Sequence, residues 1–281
     1  MGCRQMFRSF LVLAGLCLAA VAGRAAPIRV AWTPNVLRVS DPRVPGGAVE
    51  ILYLEAFCRP GGHDRDWGET RVPHRTELVS SSPGGKVLRF HTTVGTNIHV
   101  WHDVTAGRDS VAMDFRFENR GKEAWDVEWF QPACIRVDRF TGCGQSNYTA
   151  RSFVFTAGGL TALDATRRTT RARYPGGQVY LPPWVPPEDA NPRPLALDRL
   201  ANGIIGCTSG DSKWLLAVAS DRTFELFEGV YVCLHSDPWI GGLRPGEKKT
   251  VRQILYLVPN DVPALLKRYR RDFPGRPDGR W

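Results

Sequence analysis

The chain has 281 residues, of which 43% are hydrophobic, and 37 Lys and Arg against 28 Asp and Glu give it a formal net charge of +9. This length is ample for a buried core, and no stretch after residue 22 is apolar enough to span a bilayer. The sequence lacks G-x-S-x-G, H-E-x-x-H, P-loop, Rossmann and nucleic-acid-binding motifs, which disfavours the commonest hydrolases and metalloproteases, nucleotide cofactors and a nucleic-acid partner.

Residues 1–22 have the pattern of a secretory signal peptide. Two arginines supply its positive charge, residues 10–22 form its apolar core, and Ala20-Val21-Ala22 offers a cleavage site, with a second one after Ala25. The alternative is an uncleaved anchor helix, but the apolar run of about 13 residues is shorter than the roughly 20 needed to span a bilayer. The sequence therefore predicts a secreted or periplasmic protein whose remaining part, residues 23–281, forms a single domain.

Short alternating runs of apolar and polar residues dominate the rest of the chain. In Val87–Val94 the side chains alternate between two faces, and Val111–Phe117 repeats this pattern. The tripeptide Pro-Gly-Gly occurs four times, at 45–47, 60–62, 83–85 and 175–177. Each copy favours a turn, because Pro presets φ at one position and Gly permits a positive φ at the next. Many short strands between turns predict an all-β fold, a large antiparallel β-sandwich with a short C-terminal helix.

The segment 175–194 departs from the strand pattern because it contains seven prolines. Proline cannot donate to a strand ladder, so the segment is predicted to be a long surface loop. It is either a lid or binding loop, or a plain connection.

The segment 261–273 is the best helix candidate. Asp261 can cap it, and Pro263 falls in its first turn. Its apolar stripe consists of Val262, Leu265, Leu266, Tyr269 and Phe273. The basic runs 167–173 and 267–271 are interpreted as a solvated face, or as a surface for an anionic polysaccharide, a membrane or a protein partner.

Five cysteines lie outside the predicted signal peptide: Cys58, Cys134, Cys143, Cys207 and Cys233. An odd number leaves at least one thiol free. Cys134 and Cys143 could close a local loop, and Cys207 and Cys233 are as well explained as buried thiols. The spacings predict no metal site and no cofactor.

Three polar clusters could carry chemistry. They are the loop Arg59–Glu69 with Trp67, the strand Asn97–Asp103, and the segment Phe224–Leu243. In the last one, an apolar run at 230–234 ends in His235, Ser236 and Asp237. Histidine beside a carboxylate suits proton transfer, and tryptophan offers a flat apolar face to a sugar ring.

These clusters define the candidate residues. The predicted catalytic residues are His102, His235, Asp237, Glu225 and Glu228. The predicted substrate-binding residues are Trp67, Arg59, Trp101, Trp184 and Trp239. The simpler interpretation is that a sandwich buries its tryptophans and that His and Asp form local hydrogen bonds in turns.

The segment His99–Asn119, with its pattern V-x-x-x-F-x-F-x-N from Val111 to Asn119, resembles the galactose-mutarotase-like supersandwich. That group includes aldose 1-epimerases and the sandwich domains of several polysaccharide lyases and glycoside hydrolases. The ending Gly246–Tyr256, followed by a helix, is similar to the close of such a domain, and the resemblance covers about residues 75–260. It implies a supersandwich fold and a carbohydrate ligand. Mutarotases of the group use a His acid and a Glu base, and no residue here is matched to them.

Two functions are therefore expected. The first is an exported carbohydrate-processing enzyme, epimerase-like or lyase-like, in which His235 or His102 exchanges a proton. The second is a non-catalytic sugar-binding or structural envelope protein that uses Trp101, Trp184 and Trp239 as contacts.

Overall fold

The computed structural model describes residues 28–275, so the predicted signal peptide lies outside the described residues. The strands are β1 (Arg29–Thr33), β2 (Val36–Ser40), β3 (Ala48–Cys58), β4 (His74–Ser81), β5 (Val87–Val94), β6 (Ile98–Ala106), β7 (Ser110–Asn119), β8 (Trp129–Arg136), β9 (Ser152–Thr156), β10 (Gly159–Ala162), β11 (Gln178–Tyr180), β12 (Leu200–Thr208), β13 (Trp214–Ser220), β14 (Thr223–Glu228), β15 (Cys233–Pro238) and β16 (Lys248–Pro259). The α-helices are α1 (Trp67–Thr70), α2 (Asp138–Thr141) and α3 (Val262–Asp272).

The strands form two antiparallel sheets that pack as a sandwich. The seven-stranded sheet has the order β1-β2-β3-β8-β15-β14-β11, and the nine-stranded sheet has the order β10-β9-β12-β13-β16-β7-β6-β5-β4. The predicted all-β sandwich with a short C-terminal helix is confirmed. No helix within residues 28–275 has the length and apolar character needed to cross a membrane.

The main core lies between the two sheets and follows the period-two alternation of the strands. In β5, Leu88, Phe90 and Val94 are buried in it, while Arg89 on the other face is exposed. Phe57 and Phe130 stack across the core with ring centroids 5.5 Å apart. The alternation that predicted two faces for Val87–Val94 is therefore the one that fills the core.

Helix α3 covers the outer face of the nine-stranded sheet. Asp261 caps it by accepting a hydrogen bond from the Ala264 amide at 3.0 Å. Leu265, Tyr269 and Phe273 of the predicted stripe are buried in a second apolar cluster on that sheet. The capping residue and the apolar stripe match the sequence pattern.

The proline-rich segment 175–194 differs from the prediction in one respect. Its residues 178–180 form the edge strand β11, which pairs with β14 and is buried. The prolines lie on either side of these three residues, so none of them interrupts the ladder. The remainder of the segment covers the outer face of the seven-stranded sheet, where Leu181, Val185 and neighbouring side chains form a third apolar cluster.

His102 points into the main core, away from solvent. Its Nδ1 lies 2.7 Å from the Tyr53 hydroxyl and its Nε2 lies 2.9 Å from Thr92 Oγ1. Its ring stacks on Phe90 at 5.0 Å, and the side chain is 0% exposed. Burial, with smaller effects of His91 and Arg116, lowers the pKa of His102 to about 3. A side chain so placed cannot reach a ligand, so His102 does not belong to the candidate site.

The buried neutral His102 predicts a specific pH dependence of stability. In the unfolded chain its pKa is near 6.5, so the unfolded state takes up the proton first as the pH falls. The stabilisation is complete above pH 6.5 and is lost as the pH falls toward 3, by about 1.4 kcal/mol per unit. Urea unfolding of the wild type and of His102→Gln at pH 7 and pH 4.5 should show their stability difference shrinking by about 2–3 kcal/mol. A difference that stays constant would contradict a neutral buried imidazole.

Candidate functional site

A pocket of about 400 Å³ opens on the outer face of the seven-stranded sheet, under the loops that carry the third apolar cluster. Strand side chains make its floor, namely Glu55, Gln131, Cys134, Phe227, Cys233 and His235. The first residue of α1 and several loop side chains make its walls, including Trp67, Tyr174, Asn191, Arg193 and Tyr231.

Strand β15 supplies the centre of the floor. Because side chains alternate along a strand, Cys233, His235 and Asp237 share the pocket side while Leu234 enters the main core. The apolar run 230–234 is thus not a strand of its own, since residues 229–232 connect β14 to β15 and the polar residues that follow the run lie inside β15. Loops cover this face of the sheet and bury these polar side chains. A buried strand here therefore contains polar as well as apolar residues.

His235 lies beside four side chains that can interact with its imidazole: Cys134, Cys233, Glu55 and Asp237. Its Nε2 is 3.6 Å from Cys233 Sγ and 4.0 Å from Glu55 Oε2, and its Nδ1 is 3.7 Å from Asp237 Oδ1. The residue is only 2% exposed. Burial disfavours its charged form, but the neighbouring Cys134 and Asp237 outweigh burial, so the pKa of His235 lies well above its usual value.

The thiols of Cys134 and Cys233 adjoin this imidazole. With His235 they place three potential ligand atoms within 4.8 Å of one another. A hydrogen bond from Cys134, with further help from His235, lowers the pKa of Cys233. The five cysteines within residues 28–275 are free, so Cys134 and Cys143 do not form the local bridge that their spacing left open. Cys134 instead faces β15.

Glu55 is a site residue that the sequence analysis missed. It follows Leu54, whose φ of +56° is in the left-handed region, at a bulge in the pairing of β3 with β8. Such a bulge redirects a side chain, and here the carboxylate faces the pocket with its side chain 32% exposed. Burial raises the pKa of Glu55, against the opposing effect of His235. The signal in the sequence was a single acidic residue inside the apolar run 51–58.

Asp237 and Glu225 lie behind the floor and are both 0% exposed. They pair across β15 and β14 in register. The Gln131 side-chain amide donates to Asp237 Oδ2 at 3.0 Å, and the Asn191 backbone N–H donates to Glu225 Oε2 at 3.0 Å. Burial raises the pKa of both carboxyl groups, so this closed pair favours holding a proton. Asp237, 3.7 Å from His235 Nδ1, can orient the imidazole, but neither carboxyl group lines the pocket.

Glu228 lies away from the pocket. It accepts hydrogen bonds from both terminal nitrogens of Arg168, at 2.5 and 2.8 Å. Its neighbour across β15 is the core residue Leu234, which places Glu228 on the opposite face of the sheet from His235. The structure therefore gives Glu228 an ion pair and no access to the floor.

The predicted binding residues are dispersed. Trp67 lines the pocket, whereas Arg59 pairs with Asp126 at 3.3 Å, beside a different depression. Trp101 lies on the outer face of the nine-stranded sheet, over the His91–His99 pair. Only Trp67 of these three is close enough to contact a ligand above His235.

Trp184 and Trp239 pack edge-to-face, with ring centroids 6.1 Å apart, against the third apolar cluster. Arg222 lies over the Trp239 ring at 3.5 Å, and Trp239 donates its indole N–H to Glu128. Neither ring lines the pocket floor. Their position favours a role in holding the loops on the sheet.

No protein-family model matches the chain, and no curated protein matches it. Solved structures similar to it include an aldose epimerase homologue from C. elegans, with 9% identity and a TM-score of 0.42 over 83% of this chain and 99% of that one. A galactose mutarotase-like protein from Lactobacillus casei gives 9% identity and a TM-score of 0.41 over 82% and 99%. A polysaccharide lyase gives 10% identity and a TM-score of 0.39 over 86% of this chain and 34% of the lyase. These structures come from the same groups of proteins, aldose epimerases and polysaccharide lyases, that the sequence pattern of His99–Asn119 resembles.

Proposed function

We propose that this protein is a carbohydrate-processing enzyme of the epimerase type, which opens and recloses the ring of a single sugar. The observation that supports this proposal is the pair of proton-exchanging groups on the pocket floor, Glu55 Oε2 and His235 Nε2, 4.0 Å apart. General acid–base catalysis requires such groups within hydrogen-bond reach of the substrate.

The 4.0 Å between Glu55 Oε2 and His235 Nε2 lets the two groups contact the two oxygens of a sugar that are bonded to its anomeric carbon. Glu55 would remove the proton from the anomeric hydroxyl while His235 protonates the ring oxygen. The bond between the anomeric carbon and the ring oxygen then breaks, and the anomeric C–O bond becomes a carbonyl. Rotation of the carbonyl group and reversal of both proton transfers recloses the ring with the other configuration, so no external oxidant or reductant is needed.

The walls fit a small polyhydroxylated ligand. A volume of about 400 Å³ is at the lower end of ligand pockets, which favours a monosaccharide over a polymer. Trp67 and Tyr174 offer aromatic faces to the C–H surface of a sugar. Arg193 also lines the pocket and could pair with the carboxylate of a sugar acid. It donates a hydrogen bond to the Pro175 carbonyl, and its guanidinium lies 5.6 Å from the centre of the Tyr174 ring.

The test is direct catalysis on a panel of freshly dissolved single anomers, both neutral aldoses and uronic acids. We expect at least one sugar to reach its anomeric equilibrium faster in proportion to protein concentration, measured by polarimetry and by NMR of the anomeric protons. A uronate-containing oligosaccharide is offered separately, and an unsaturated product from it, formed by loss of the C5 proton and departure of the glycosidic oxygen at C4, would instead favour a lyase-like reaction. Sugar binding by calorimetry without any acceleration would contradict the epimerase and favour the non-catalytic alternative.

Export to the periplasm or the medium is part of the proposal and rests on the composition of residues 1–22. Fractionation of the host cell, with mass spectrometry of the mature N-terminus, should find cleavage after Ala22 or Ala25. An intact N-terminus on protein from the cytosolic fraction would contradict export.

A further inference from the structure

We propose that Cys134, Cys233 and His235 bind a zinc ion, with Glu55 as the fourth ligand. The four side chains come from three adjacent strands, β3, β8 and β15, so the sheet itself fixes their positions. Thiolate, imidazole and carboxylate are the ligand types that Zn²⁺ takes in proteins.

The distances agree with a tetrahedral site. Zinc–sulfur and zinc–nitrogen bonds of about 2.3 and 2.0 Å place two ligand atoms roughly 3.5 Å apart. Cys233 Sγ and His235 Nε2 are 3.6 Å apart, and the three thiol and imidazole ligand atoms all lie within 4.8 Å of one another. Glu55 Oε2 lies 4.0 Å from His235 Nε2 but outside the three atoms that all lie within 4.8 Å of one another, so its side chain, which is 32% exposed, has to move toward the thiols to close the fourth position.

The other side of the imidazole independently supports a ligand role. In metal sites a coordinating histidine usually donates its second N–H to a carboxylate, which fixes the ring and its tautomer. Here His235 Nδ1 faces Asp237 Oδ1 at 3.7 Å, and neither atom has a hydrogen-bond partner among the described residues. Gln131 holds the other oxygen of Asp237 at 3.0 Å. The arrangement leaves Nε2 directed at the two thiols.

Gly229 leaves space beside the cluster. A Cβ at this position would lie 2.2 Å from Cys233 Sγ and 3.5 Å from His235 Nε2. Any larger residue would therefore displace the thiol. The absence of a side chain at 229 preserves the ligand geometry between β14 and β15.

Zinc and proton exchange would use the same nitrogen of His235. It follows that the metal-bound protein cannot use His235 as an acid, so zinc would inhibit turnover and a chelator would restore it. This consequence rests on the proposed function, whereas the metal site itself does not.

The test is a cobalt titration of the full chain after chelator treatment and reduction. We expect one equivalent of Co²⁺ to give the charge-transfer band of cobalt–thiolate bonds and the visible spectrum of tetrahedral cobalt, and one equivalent of Zn²⁺ to abolish both. Cys134→Ser and Cys233→Ser should each lose at least about 100-fold in zinc affinity, and Asp237→Asn about 10–100-fold. Cys143→Ser is the matched control, since its half-buried thiol lies outside the cluster, and it should bind as the wild type does.

The wild-type spectrum decides the proposal even if a variant does not fold. Absence of a cobalt–thiolate band in the reduced wild type would overturn it, and so would an unchanged band in a folded Cys233→Ser variant. Failure of turnover leaves the titration unaffected. Conversely, zinc that binds without inhibiting turnover would overturn the role of His235 as acid and leave the metal site standing.

Discussion

Replacing His235 with Asn is expected to lower kcat for a sugar that the wild type converts by at least about 100-fold, since proton transfer by a positioned side chain contributes factors of this size. Asn keeps a polar group of similar length in the buried floor but cannot exchange a proton at neutral pH. Glu55→Gln should cause a loss of similar size. The double variant should be little worse than either single one, because the acid and the base act in the same step.

The measurement is anomeric conversion at saturating sugar in the presence of a chelator, so that metal at the cluster does not enter the comparison. His99→Asn is the matched control: this histidine lies on the nine-stranded sheet and stacks on Trp101. It should retain wild-type turnover. If a folded His235→Asn variant converts the sugar at the wild-type rate, the assignment of the acid is wrong.

Gly177→Ala is expected to destabilise the fold by about 3 kcal/mol, through two separable costs. Gly177 has a φ of +73°, which an L-residue adopts at a cost of about 1–2 kcal/mol. A Cβ there would also lie 2.4 Å from the Glu228 carbonyl oxygen and 2.8 Å from the Phe227 ring. The carbonyl belongs to the backbone of β14 and cannot move aside without disturbing its pairing with β15.

Gly84→Ala measures the cost of the positive φ alone. Its φ is +74°, but a Cβ there would meet nothing within 4 Å. Urea unfolding of both variants should therefore show a loss of about 1 kcal/mol at position 84 and a clearly larger loss at position 177. Equal losses would mean that the contact with β14 relaxes without cost.

The sequence carried the architecture because the alternation of side chains is local. Val87–Val94 and Val111–Phe117 show their two faces within a few residues, and Asp261 with the stripe around Tyr269 defines α3 in the same way. These features depend on neighbours in the chain, so they could be predicted before any contact was known.

The site depends instead on which strands become neighbours and which face is covered. His102 and His235 both lie in strands beside apolar residues, and alternation alone does not tell which face is the core. His102 enters the space between the two sheets, whereas His235 faces loops that come from distant parts of the chain. Glu55 and Cys134 join His235 only because β3, β8 and β15 are adjacent, and no local pattern encodes that order.

Because Cys233, His235 and Asp237 occupy every second position of β15, the candidate site depends on which side chains of this strand face the loops. Adding one residue within the strand would exchange the two faces and turn the imidazole into the apolar interior. Adding two residues would restore the face but shift the group by about 6.6 Å along the sheet, beyond reach of Glu55. Length changes that leave the candidate site intact are thus confined to the loops above it, where they would alter the walls of the pocket while β15 keeps the position of His235.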